Sequence, residues 1–98
     1  DVTSAILNHS GRIALLCVND ATNIDASTIQ GIAKLYNVYP AETIYILSSE
    51  TLDLEELSLQ STHLYIDAMT LRSILRADVG VVILSDGVVE FKSAIKDI

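Results

Sequence analysis

Cys17 is the only thiol in the chain, and His9 and His63 are its only imidazoles. A cysteine acts as a nucleophile or metal ligand in its thiolate form, which needs partial exposure and a nearby positive charge or helix N-terminus. Cys17 lies instead within Leu15-Leu16-Cys17-Val18, an apolar stretch that offers neither. A buried structural cysteine is expected, because free cysteine is among the most buried residue types. One cysteine also excludes an intrachain disulfide and every all-cysteine metal site. The histidines show no H-x-x-x-H or H-E-x-x-H spacing. A histidine without a nucleophile, an orienting carboxylate or fellow ligands carries no mechanism, so both are expected at the surface or at turns.

The other places where chemistry could occur are polar. Asn19-Asp20-Ala21-Thr22-Asn23 follows the apolar stretch directly. Its Asp20 carboxylate could receive a polar ligand or a cation. A plain connecting loop, held by Asx-type hydrogen bonds and leading into a helix, explains the same residues and is the favoured reading. Glu50, Asp53, Glu55 and Glu56 form an acidic cluster without the alternating ligands and glycine turn of a calcium loop. A solvated helix start accounts for it. The glycines at 11, 31, 80 and 87 match neither a dinucleotide nor a phosphate-loop spacing. No cofactor and no metal is expected. Tyr36, Tyr39, Tyr45 and Tyr65 are spread along the chain and suit half-buried sheet and helix edges.

These residues must be positioned by a small domain. The chain has 98 residues, half of them apolar, enough for one core without staples. Its net charge of -7 rests on only six basic residues, and these are scattered. Nucleic-acid binding and electrostatic attachment to an anionic membrane surface are both disfavoured, since each needs clustered Lys and Arg. No signal peptide and no bilayer-length apolar run is visible. The chain starts at Asp1 without a methionine. A single domain over 1–98, excised from a longer chain, is the expectation.

Asp1 to Asn8 could form a short helix ended by His9-Ser10-Gly11. Arg12 to Val18 is a continuous apolar run, which fits a strand covered on both faces. A helix is predicted from Asp25 or Ser27 to about Asn37, with Ile29, Ile32, Ala33 and Tyr36 at 3-4 spacing and Pro40 beyond its end. Thr43 to Leu47 reads as a second strand. A second helix is predicted within Ser48 to Ser61, where Asp53 and Glu56 have capping-box spacing. His63 to Ile66 reads as a short extended piece, and Thr70 to Arg76 as a short helix with Leu71, Ile74 and Leu75 inward. Val79 to Leu84 and Val88 to Phe91 are strands joined at Asp86-Gly87, a strong hairpin signal.

This order, a βαβ unit, a connecting helix and a closing β-hairpin, resembles the thioredoxin fold. The expected architecture is α/β and thioredoxin-like, with a mixed sheet of about four strands, flanking helices and a terminal hairpin. In that comparison the Asn19-Asp20-Ala21-Thr22 loop stands where a thioredoxin carries its C-x-x-C pair. Val79 stands where a thioredoxin has a proline before a buried strand. A closer likeness covers nearly the whole chain. Asp1-Val2-Thr3 with Ile6-Leu7, Ser48-Ser49, Leu71 through Arg76, Gly80 through Gly87 and Lys96-Asp97-Ile98 resemble the soluble domain appended to bacterial DoxX-type membrane proteins.

The resemblance implies a domain tethered to a small helical membrane protein, on an undetermined side, with no catalytic residue of its own. Any remnant of a thioredoxin site would consist of Asn19, Asp20, Val79 and Gly80. The hairpin residues Val81, Ile83, Val88 and Phe91 are candidates for contact with another copy, another protein or the remainder of the parent chain. They would do so if no terminal helix covers that face. The expected role is a redox-inert binding or interaction module. The enzyme alternative is a thiol-disulfide or peroxide-related oxidoreductase in which Cys17 attacks and a thiol from another chain resolves.

Overall fold

In a computed structural model the chain is described at residues 11–22, 24–52, 59 and 61–98. Strand β1 spans Arg12–Val18, helix α1 Ala26–Val38, strand β2 Ile44–Ser48 and strand β3 Thr62–Tyr65. Helix α2 follows at Ala68–Ile74, then strands β4 at Val79–Ser85 and β5 at Val88–Ala94. Short 3-10 turns lie at Ala41–Thr43 and Ile95–Asp97. The helices predicted for Asp1–Asn8 and around Asp53 and Glu56 lie outside the described residues.

The sheet has five strands in the order β3-β2-β1-β4-β5. β1, β2 and β3 are parallel, while β4 runs antiparallel to β1 and β5 antiparallel to β4. The expectation of about four strands is corrected here, because the short extended piece near His63 pairs with β2 from Tyr45↔Thr62 to Ser48↔Tyr65. β3 has only four residues and none is fully buried. Its own pattern is too short and too polar to declare a strand; the free edge of β2 supplies the partner that makes it one.

β1 sits at the centre, and its alternating side chains feed two cores. Ala14, Leu16 and Val18 face α1, where they meet Ile32, Leu35, Ile46 and Val81. Ile13, Leu15 and Cys17 face α2, where they meet Leu47, Leu71 and Val82. A strand enclosed on both faces needs an unbroken apolar sequence, and RIALLCV supplies it. Residues as enclosed as Leu16 each stabilise the fold by about 2–5 kcal/mol relative to alanine.

Helix α1 begins at Asp25, whose carboxylate accepts hydrogen bonds from Thr28 N and Thr28 Oγ1, both at 2.9 Å. It ends where Tyr39 N donates to Leu35 O, one residue before Pro40. Gly31 costs the helix about 1 kcal/mol in propensity, but a Cβ there would run into the carbonyl of Ile95. The 3-10 turn after β5 lies against α1 at that point. At the other end of the sheet, Asp86 (φ 50°) and Gly87 (φ 84°) both take the positive φ of a type I′ hairpin turn. Asp86 N donates to Gly11 O and Gly11 N to Asp86 Oδ1, which fastens the turn to the start of β1.

Candidate functional site

The four residues expected as a remnant site meet at one end of the β1–β4 ladder. The register pairs Val18 with Val79 and Cys17 with Gly80, so the loop leaving β1 lies against the segment entering β4. In a sheet that mixes strand directions, this outer end of the central parallel strand is a common place for ligands. Here the chain's own hydrogen bonds take up most of the polar groups. Asn19 N and Asp20 N both donate to Asp78 O, at 2.7 and 3.0 Å. Asn19 Nδ2 donates to Leu75 O at 2.6 Å and to Ala77 O at 2.9 Å. Asn19 thereby ties the end of α2 to the end of β1. Its Oδ1 is buried without a hydrogen-bond partner among the described residues.

Asp20 is occupied locally. Its Oδ1 accepts from Thr22 Oγ1 at 2.5 Å and from Thr22 N at 2.8 Å. These bonds, with the more distant Arg72, hold its pKa below the ordinary carboxylate value. Val79 is buried, and Gly80 has no room for a side chain: a Cβ would strike Leu75 Cδ2 and lie 2.9 Å from Ser93 O. The glycine serves the packing of α2 onto β4, and the place it holds is closed to a ligand.

Cys17 lies below this loop and faces α2. It is 0% exposed, and burial pushes its thiol up to about 12 against the opposing charge of Lys92. The thiol is protonated throughout the neutral range.

The structure also joins two residues that sequence spacing does not connect. His63 Nε2 lies 2.6 Å from Ser48 Oγ, across the β2–β3 pair. Ser48 Oγ in turn donates to Glu50 O at 2.6 Å. With the serine proton committed to that carbonyl, the imidazole must donate from Nε2. A nucleophilic serine needs the reverse polarity, with the imidazole accepting. Ser48 is also 1% exposed. The pair is a structural cross-strand link; desolvation lowers the His63 pKa, and its ring packs on Tyr65 with centroids 4.4 Å apart. Among the described residues, no three His, Cys, Asp or Glu side chains are grouped to hold a metal ion. No described helix is long and apolar enough to cross a membrane.

Two concavities stand out among the described residues. One, of about 270 Å³, lies between the start of α1 and the segments Arg76–Val79 and Ala94–Lys96, with Asp25, Asp78, Arg76 and Lys96 around it. The α1 N-terminus that borders it is already capped by Asp25, whose pKa is held low chiefly by the backbone and hydroxyl bonds from Thr28. The larger, of about 580 Å³, is an apolar groove between the second half of α1 and the β4–β5 hairpin. Leu35, Val38 and Tyr39 form one side, Val81, Ile83 and Phe91 the other. Arg12 and Glu90 pair across its rim at 3.1 Å.

Of the four hairpin residues expected to make contacts, Val81 (1% exposed) and Ile83 (7%) are buried in the core and form the groove floor. Phe91 (48%) and Val88 (66%) face outward. The groove had no sequence signature, since its walls come from three elements that the fold brings together. Comparison with protein-family models, with curated proteins and with solved structures returned no match.

Proposed function

We propose that the chain is a redox-inert, thioredoxin-like binding module belonging to a membrane-associated protein of the DoxX type. The thioredoxin-like reading is supported by the element order: parallel β1 and β2 joined through α1, then α2, then an antiparallel hairpin. Inertness rests on one observation above the others, the enclosure of Cys17 with its thiol pushed up to about 12. The nucleophile in thiol exchange is the thiolate, and a thiol so far above neutral pH supplies almost none. The loop that stands in place of a cysteine pair is held by its own backbone and Asx bonds. What the domain offers a partner is the outward side of the hairpin, Val88 and Phe91. The partner is another protein or the remainder of a parent chain.

The test is thiol accessibility. Under native conditions a disulfide reagent should leave Cys17 unmodified across the neutral range, with stoichiometric reaction only after denaturant is added. Fast native modification with a depressed pKa would overturn inertness and favour an oxidoreductase with an external resolving thiol. The membrane association is tested separately, by whether the native gene product exceeds this chain in mass and is released only by detergent.

A further inference from the structure

We draw no further inference here: the strongest candidate, the apolar groove between the second half of α1 and the β4–β5 hairpin, carries nothing because nothing in the structure shows what covers it.

Discussion

The two ends of the β1–β4 ladder are built in opposite ways. At the end where Asn19 and Asp20 meet Asp78, polar groups are dense and, Asn19 Oδ1 apart, spent on one another. Toward the end where Arg12 meets Glu90, the surface is apolar and a groove is left open. A site needs groups that are positioned but not yet satisfied. The first end keeps one unpartnered atom, Asn19 Oδ1, and a polar concavity of about 270 Å³ beside Asp78, while the second has a larger, apolar opening with few polar groups. That contrast is what the proposed binding role draws on.

Variants can break the closed end first. Gly80→Ala should have the largest effect, a loss of about 2–3 kcal/mol in urea unfolding, because the new methyl must displace Leu75 and the Ser93 backbone. Asn19→Ala comes next. It removes two bonds to the carbonyls of Leu75 and Ala77, but also the buried Oδ1 that has no partner among the described residues. The expected net loss is about 1–2 kcal/mol, and hydrogen exchange should rise locally at the α2–β4 connection.

Acid offers a smaller and continuous perturbation. Asp20 and Asp25 have folded pKa values below the ordinary 3.8. A carboxylate whose pKa is depressed by folding stabilises the fold above its unfolded value and loses that contribution as pH falls through its folded one. The two carboxylates should therefore add a drop in the unfolding midpoint below pH 3.8, after an earlier decline that begins below pH 6.5, where the desolvated His63 resists the proton that the unfolded chain accepts. Asp25→Asn keeps a capping oxygen but does not titrate, so its acid limb should be flatter. At the open end, Val38→Ser should change stability by less than about 0.5 kcal/mol, since Val38 is 71% exposed. A large loss there would mean that the groove wall is part of the core, and the contrast between the two ends would fail.

Much of the framework is legible in the residues. β1 has the span that its apolar run predicts, Arg12–Val18. Helix α1 starts just after Asp25 and stops before Pro40 because the cap and the imino acid act within a few residues of themselves. The Asp86-Gly87 turn is similarly local. β3 was harder to read as a strand, because a half-buried four-residue segment becomes one only when β2 offers its edge. Of the candidate site, the meeting of Asn19 and Asp20 with Val79 and Gly80 was anticipated through resemblance. The bonds that tie this place together are not legible in the sequence, since the acceptors, Leu75 O, Ala77 O and Asp78 O, are backbone atoms more than fifty residues away.

The sequence by itself determined where the main strands and α1 form, that Cys17 stands in a core strand, and that no cysteine pair exists. Each of these depends on neighbours in the chain: periodicity, caps, turn conformation and composition. Tertiary structure alone decided the strand order, the link between Ser48 and His63, the loss of space at Gly80 and the groove beside Val81 and Phe91. These depend on which distant surfaces come to lie against each other, and burial and close packing settle that only for the whole chain at once.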